Sequence, residues 1–208
     1  MKLIKLSLIA LFLLSATFAY SQIGVRAGVN IATQEYDPDF TEDQSSIIGL
    51  NFGLTYELPI SPLLTIQPEL HFLQKGTKEE FIEQGATIES EIFLNYLELG
   101  IMARFDLLEF GNDAGLYLGV TPHLGYGISG KYKFSGTIGG VSFDEEEDVD
   151  FDDDNINRID FGVGFGAGVH FGNIFIDARY NLGIADISDN DDLTINNRGI
   201  LVGVGYRF

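Results

Sequence analysis

Past residue 22 the chain alternates. In the stretch IGVRAGVNIA, Ile23, Val25, Ala27, Val29 and Ile31 share one parity, and Gly24, Arg26, Gly28 and Asn30 share the other. An extended strand sends successive side chains to opposite faces, whereas a helix scatters such a set around its circumference. The alternation recurs seven more times. Residues 48–56 set Leu50, Phe52 and Leu54 against Asn51, Gly53 and Thr55, with Glu57 following in the same parity. Residues 64–72 set Leu64, Ile66, Pro68, Leu70 and Phe72 against Thr65, Gln67, Glu69 and His71. Residues 93–105 set Leu97, Leu99, Ile101 and Phe105 against Glu98, Gly100, Met102 and Arg104. Residues 115–126 set Leu116, Leu118, Val120, Leu124 and Tyr126 against Tyr117, Thr121 and His123. The sixth, seventh and eighth segments occupy residues 158–171, 174–182 and 199–208.

One face of every segment is aliphatic and aromatic; the other carries Gly, Arg, Glu, His and Asp. A soluble barrel or sandwich would turn the apolar face inward and its charges out. A membrane barrel inverts that order. The expectation is an all-β protein, an eight-stranded antiparallel up-and-down transmembrane β-barrel spanning residues 22–208. Long polar connections are expected at 35–46, 76–91, 129–157 and 185–197, alternating with the short ones LPISP, DLLEFGNDA and FGN. Long loops outside and short periplasmic turns are the outer-membrane pattern. Tyr56, Phe105, Phe171 and Phe208 are then expected at the periplasmic rim, and Phe93, Tyr126 and Phe161 at the outer rim.

Eight strands leave an interior that side chains can fill. Arg26, Glu57, Glu69, Glu98, Arg104, Asp177, Arg179 and Arg207 fall on the inward parity, where an unpaired charge is costly, so they are expected to pair. The inward glycines make room for them. Pro68 and Pro122 each remove a ladder donor from a sheet without edges, for which a local bulge is the expected accommodation.

RIDFGVGFGAGVHFGN contains Gly162, Gly164 and Ala167 at the spacing G-x-G-x-x-A. A dinucleotide fingerprint needs a helix after the glycine turn to meet the phosphate. Here another alternating strand follows, so the glycines are one face of a wall and no nucleotide cofactor is expected.

Composition narrows the picture further. The formal charge is −19 and there is no Cys. Disulfides, zinc thiolates and cysteine nucleophiles are excluded, and nucleic acid is not an expected partner. Lys2 and Lys5 precede an apolar run to Leu14, and Ala19-Tyr20-Ser21 supplies small residues for cleavage, so residues 1–21 read as an export signal. The expected address is the cell outer membrane.

Two sets of residues invite chemistry. The run Asp144, Glu145, Glu146, Glu147, Asp148, Asp150, Asp152, Asp153 and Asp154 is a candidate divalent-cation loop. Counted from Asp150, the calcium-loop glycine position is held by Asn155. A solvated acidic loop is the simpler reading. Just before it, YKFSGTIGGVSF fits a hairpin about Gly139-Gly140. His71, His123 and His170 fall on the inward parity; His170 is near the periplasmic end, and His71 is nearer the outer rim. No serine and carboxylate are seen to pair with it locally, and no catalytic residue or cofactor is assigned.

The segments GVRAGVNIA, TIQPELHFLQKG, NYLELGIMARF and FGVGFGAGVHFGNIFIDARYNLGI resemble the outer-membrane β-barrel domain family of Bacteroidetes-type bacteria, often called PorT-like. The most specific match lies in Gln67, Pro68, Glu69, Leu70 and Gly76, and the chain departs from the family at Gly100, where Pro is usual. The resemblance implies a small outer-membrane barrel. The expected role is non-enzymatic, structural or in surface interaction. The alternatives are an accessory component of a secretion system like PorT and a membrane-embedded hydrolase. Expected partners are outer-membrane lipids and lipopolysaccharide, the barrel assembly machinery during biogenesis, and an envelope or surface protein.

Overall fold

The computed structural model describes residues 22–37, 44–83, 86–111, 113–151, 153–190 and 192–208. The expected export signal, 1–21, lies outside the described residues. Eleven strands are present among the described residues: β1 (Ile23–Asp37), β2 (Gln44–Ser45), β3 (Ile47–Tyr56), β4 (Leu58–Ser61), β5 (Leu64–Glu83), β6 (Ala86–Phe110), β7 (Ala114–Ile138), β8 (Val141–Asp148), β9 (Ile159–Phe171), β10 (Ile174–Gly183) and β11 (Thr194–Arg207).

Eight of them form a closed antiparallel ring in the order β1, β3, β5, β6, β7, β9, β10, β11 and back to β1. Closure leaves no free edge within the wall. The burial parity is that of a membrane barrel. Phe52, Leu99, Leu124, Phe165 and Ile176 point outward and are about half exposed, while Arg26, Glu69, Asp160, Asp177 and Arg179 are buried inside. Outward-pointing apolar side chains remove no area from water unless lipid covers them, so the bilayer supplies the apolar environment that a soluble fold finds in its core.

The wall continues well past the thickness of a membrane at one end. β6 and β7 each run 25 residues, against the roughly 9–11 that a tilted spanning strand needs. Most of the stretches 76–91 and 129–157 are therefore paired strand and not loop. Lys78 pairs in register with Glu91, Ile88 with Gly136, and Lys133 with Glu146 of β8. Alternation persists there, but with polar residues on both faces, which removes the apolar signal while keeping the backbone ladder. The hairpin about Gly139 and Gly140 forms as expected: both have positive φ, 59° and 87°, the geometry of a two-residue turn that matches strand twist. In the stretch 35–46, β1 extends to Asp37, and 38–43 lie outside the described residues. In 185–197, β11 begins at Thr194.

The two prolines sit at gaps in the ladder and not at bulges. Pro122 lies between the β6–β7 pairs His123–Gly100 and Val120–Ala103, where the register skips two positions without shifting. Pro68 lies opposite the break between β3 and β4, across which the register with β5 is kept. A missing N–H costs little where the neighbouring strand is not pairing. The register shifts fall elsewhere, at Ile128 in β7 and Leu107 in β6, each an extra residue in the β6–β7 ladder, and at Ile60 in β4 against β5.

Candidate functional site

The interior is built in layers from side chains of opposite sign. At the short-turn end, Arg104 donates to Glu57 and lies 3.1 Å from Asp106, and Arg207 reaches the same Glu57 at 3.3 Å. Above them, Asp177 accepts from Arg26 at 2.6 Å on one oxygen and from Arg179 at 2.8 Å on the other. Arg179 also donates to Glu69 at 2.5 Å, and Arg26 donates to Asn51. Higher still, Lys75 Nζ lies 2.6 Å from Glu98 and 2.9 Å from Asp160, with Asn197 donating to Asp160 at 2.9 Å. Each inward charge expected to need a partner has one.

Glycine makes this packing possible. A Cβ on Gly168 would sit 2.3 Å from the Tyr117 hydroxyl oxygen, and one on Gly205 would sit 2.1 Å from Phe175 Cζ. At Gly203 it would meet the Arg26 guanidinium carbon at 2.8 Å, and at Gly166 the Arg179 Cγ at 2.7 Å. The glycine face is thus the floor on which the large lumen side chains lie. It is no phosphate cradle: Gly162, Gly164 and Ala167 are mid-strand in β9, and Gly172-Asn173 turns directly into β10.

Two lumen charges, Lys75 and Asp160, were not among the expected set. Both continue the parity of their strands, Lys75 from His71 and Leu73 and Asp160 ahead of Gly162. Lys75 lies between Gln74 and Gly76, where the apolar face has ended, whereas Asp160 lies between the outward Ile159 and Phe161, in full alternation. The histidines also differ from expectation. His71 Nε2 lies 3.2 Å from Glu69 Oε2, and its Nδ1 lies 3.0 Å from the Asn51 side-chain amide. A carboxylate therefore does stand beside it, two residues away in the chain, where local reading found none. That carboxylate is already held by Arg179. His123 Nε2 is 3.9 Å from Glu98 Oε2. A void of about 10 Å³ lined by Asn30, Lys75, His123 and Asn197 has room for a single water.

The barrel is stoppered at its long-loop end. Leu94, Tyr96, Val149, Phe151 and Ile187 form a buried apolar cluster, with Ile92, Tyr132, Ile156 and Ile195 against it. Residues 149–151, 153–157, 184–190 and 192–193 fold back over the opening, held by Val149 N–H to Gly130 O (3.0 Å) and Asn157 N–H to Ile187 O (2.8 Å). A cavity of about 330 Å³ remains in this mouth, among Gln34, Tyr36, Glu79, Tyr132, Asp154 and Ile195.

The acidic run does not converge. Asp144–Asp148 lie on β8, where Asp144, Glu146 and Asp148 alternate with Glu145 and Glu147, and all five are exposed. Asp150, Asp153 and Asp154 belong to the following turn, in which Asp154 accepts from the Asp150 N–H at 2.9 Å and Asn155 has φ 55°. Asp152 lies outside the described residues. Among the described residues, no three acidic or histidine side chains are placed to hold a metal ion. Glu146 instead serves two lysines, Lys131 at 2.8 Å and Lys133 at 3.2 Å. Their hydrogen bonds lower its carboxyl below the usual glutamate range.

A polar, charged lumen inside an apolar wall of eight closed strands defines an outer-membrane β-barrel. The chain belongs to the outer membrane protein beta-barrel domain family, whose model matches residues 15–189, and its place is the cell outer membrane. Among solved structures, Neisserial surface protein A is similar at 15% identity and a TM-score of 0.43, with 89% of this chain and 97% of that one covered. The attachment invasion locus protein Ail of Yersinia pestis is similar at 20% identity and a TM-score of 0.42, covering 90% and 99%. The N-terminal β-barrel domain of Pseudomonas aeruginosa OprF is similar at 10% identity and a TM-score of 0.36, covering 91% and 99%. A search of curated protein sequences finds no match.

Proposed function

We propose that this protein is a non-enzymatic, non-conducting barrel that works by interaction at its long-loop end. One observation carries the reading: the lumen is filled by paired charges and stoppered by the Tyr96–Phe151 cluster, while β5, β6, β7 and β8 carry a sheet well beyond the membrane. A filled lumen assigns no work to the interior beyond holding the wall together. A long projecting sheet presents surface to whatever lies outside. His71 stands between Asn51 and Glu69 and has no serine beside it in the hydrogen-bonding set, which supports a packing role over hydrolysis. The finer PorT-like membership is supported by the Gln67-Pro68-Glu69 signature, in which Gln67 donates to Glu69 at 2.5 Å. Lys131 and Lys133, exposed beside Phe93, suit contact with lipopolysaccharide phosphates. The C-terminal strand suits recognition by the barrel assembly machinery.

The test is site-specific photocrosslinking in intact cells. A crosslinker at Ser135 or Phe143 on the projecting hairpin is expected to capture envelope or surface proteins. One at Leu63 or Asn173, at the short-turn rim, is expected to capture none stably. Capture of periplasmic proteins from the short-turn rim alone would instead favour the secretion-accessory role and overturn this reading.

A further inference from the structure

Among the described residues, the cations clasped inside the barrel are Arg26, Arg104, Arg179 and Arg207, with a single lysine, Lys75. A guanidinium keeps its proton in a protein, whereas an amine can lose one and become a nucleophile. Lys75 on β5 is almost wholly buried, as are Glu98 on β6 and Asp160 on β9. Its Nζ lies 2.6 Å from Glu98 Oε2 and 2.9 Å from Asp160 Oδ2, so the amine touches both carboxylates at once. Leu94, its register partner on β6, is fully buried, and so are Leu73 and Tyr96. The Tyr96 ring centroid stands 5.1 Å from Nζ.

This layer is out of balance where the other two are not. Below it, Arg104 and Arg207 face Glu57 and Asp106, and Arg26 and Arg179 face Asp177 and Glu69. Here one lysine faces two carboxylates. His123 Nε2 stands 3.9 Å from Glu98, outside hydrogen-bond reach. Among the described residues, Asp160 Oδ1 has no hydrogen-bond partner, although its side chain is wholly buried. A buried charge without an answering charge or donor is costly. The void of about 10 Å³ that Lys75 lines with Asn30, His123 and Asn197 lies beside these groups and has room for one water.

We propose that Lys75 and Asp160 join in an intramolecular isopeptide bond, with Glu98 as the proton relay. The bond concerns the wall and is independent of the surface-interaction reading. A proton taken up on Asp160 Oδ1 gives that oxygen its missing partner, cancels the excess charge and makes a neutral acid. Glu98 draws a proton from the ammonium along the 2.6 Å contact and frees the Nζ lone pair. The Nζ–Cγ bond forms and the Cγ–Oδ1 bond breaks. Two protons leave Nζ in all: one completes water on the departing oxygen, and the other stays on Glu98. Asn197 Nδ2, 2.9 Å from Asp160 Oδ2, steadies the charge that gathers on the oxygen destined to be the amide carbonyl. The adjoining void receives the water. In bulk solvent the hydration of ammonium and carboxylate opposes this condensation. Burial has already removed that hydration, and contact between the groups makes the step unimolecular. The products, an amide and a neutral Glu98, leave none of the three side chains charged. The bond ties β5 to β9 with β6 and β7 between them, a covalent strut beneath the Tyr96–Phe151 stopper.

The test is intact-mass spectrometry of the full chain, before and after folding, with peptide mapping. Chain dissolved in urea from inclusion bodies is expected to have its full mass. Chain folded into an uncharged maltoside detergent, or purified from outer membranes, is expected to be lighter by one water. Digestion of the lighter form is expected to give a branched peptide joining Lys75 to Asp160. After denaturation, an amine-reactive label is expected to modify Lys78, Lys131 and Lys133 but not Lys75. Glu98→Gln keeps both bonding partners and is expected to slow the loss of water about a hundredfold, the scale of a general acid–base group. Lys75→Arg is expected to hold the full mass indefinitely. Folding of each variant is read from heat-modifiable mobility, and if neither folds the unmodified chain decides alone. Full mass in the folded unmodified chain would overturn the bond. So would a water loss already present in urea, or one mapped to any pair other than Lys75 and Asp160. A folded Glu98→Gln that loses water as fast as the unmodified chain would overturn the relay.

Discussion

Arg179 spans the barrel to meet Glu69. The guanidinium on β10 donates at 2.5 Å to a carboxylate on β5, and these strands lie four places apart in either direction around the ring. The pair is a strut across the full diameter. Both side chains are almost wholly buried, so each depends on the other to offset the loss of hydration. Removing one partner of such a pair costs about 3–5 kcal/mol, whereas replacing both by apolar groups of similar volume is often near neutral. Glu69→Ala is therefore expected to lower the urea midpoint of the vesicle-inserted barrel sharply. Glu69→Leu with Arg179→Met is expected to recover most of that loss, because Arg26 still satisfies Asp177. A double variant as unstable as Glu69→Ala would show that shape, not charge, holds this layer.

The seam of the ring closes at the last residue. Phe208 N–H donates to Ile23 O at 2.9 Å, and its ring meets Tyr206 edge-on with centroids 5.3 Å apart. Both aromatics lie outward, about half exposed, at the rim where aromatic belts sit. Deleting Phe208 removes the hydrogen bond that ends the β1–β11 seam and half of the aromatic pair. The expected outcome is a lower outer-membrane yield, with unfolded chain recovered from the periplasm. Unchanged yield and heat-modifiable mobility on gels would argue that the seam is fixed by the preceding residues.

Glu146 on the projecting hairpin offers a pH test outside the membrane. Its carboxyl is lowered by hydrogen bonds from Lys131 and Lys133. A lowered folded value means that whatever support the pair gives is present above the unfolded glutamate range and is lost as the pH falls through the folded value. The group is fully exposed, so this support is small. Carboxyl-carbon NMR is expected to show Glu146 titrating below the usual range. Lys131→Met with Lys133→Met, or high salt, is expected to return it there. A titration unmoved by either change would mean that the lysines do not hold the carboxylate in solution.

Most of the wall was legible because lipid and lumen impose a strict two-residue period. Phe52, Leu99 and Ile176 fell on one parity and Arg26, Glu69 and Asp177 on the other, and the structure places them so. What was not legible follows from where that constraint stops. Above the membrane both faces of β5–β8 meet water, so Lys78, Glu91 and Lys133 carry no apolar signature, and their strands read as loops. Lys75, between Gln74 and Gly76, sits at that boundary and carries no apolar signature for the same reason, whereas Asp160, between the outward Ile159 and Phe161, is marked by its parity. The prolines were visible as anomalies, but a ladder gap leaves no local mark that separates it from a bulge. The mouth cavity was beyond reach, since Tyr36, Glu79, Tyr132 and Asp154 come from four separate segments that only the closed ring and its inward-folded loops bring together.

The lipid-facing parity itself can be tested on a chain without native Cys. Phe165 is half exposed outward, and Gly164 is turned inward, where a Cβ would meet Asn181 Oδ1 at 2.5 Å. Cys at Phe165 is expected to react with a lipid-soluble maleimide, and Cys at Gly164 is not. Phe165→Arg is expected to cost about 2–4 kcal/mol if the position lies near the bilayer midplane. Labelling at Gly164 in the folded protein, with Phe165 protected, would invert the register of β9.

Conduction decides whether the lumen is a wall or a path. An ion entering from the short-turn end meets Arg104 and Arg207 clasped to Glu57, then Arg26 and Arg179 clasped to Asp177, then Lys75 clasped to Glu98 and Asp160. To pass, it must separate buried opposite charges, each already desolvated, in a space whose void beside Lys75 and His123 holds one water. Purified, folded protein is therefore expected to give no open-channel steps in planar bilayers and no sugar uptake into proteoliposomes. Phe151→Ala, which thins the stopper, is expected to stay silent because the three charge layers beneath it remain. The glycines of β9 are the place where this would fail. If Tyr117 and Arg179 swing off Gly168 and Gly166, a narrow aqueous slot opens along that strand. Reproducible single-channel steps from the unmodified barrel, abolished by Gly166→Val, would show that slot in use. The protein would then be a small pore, and the surface-interaction reading would lose the closed lumen on which it stands.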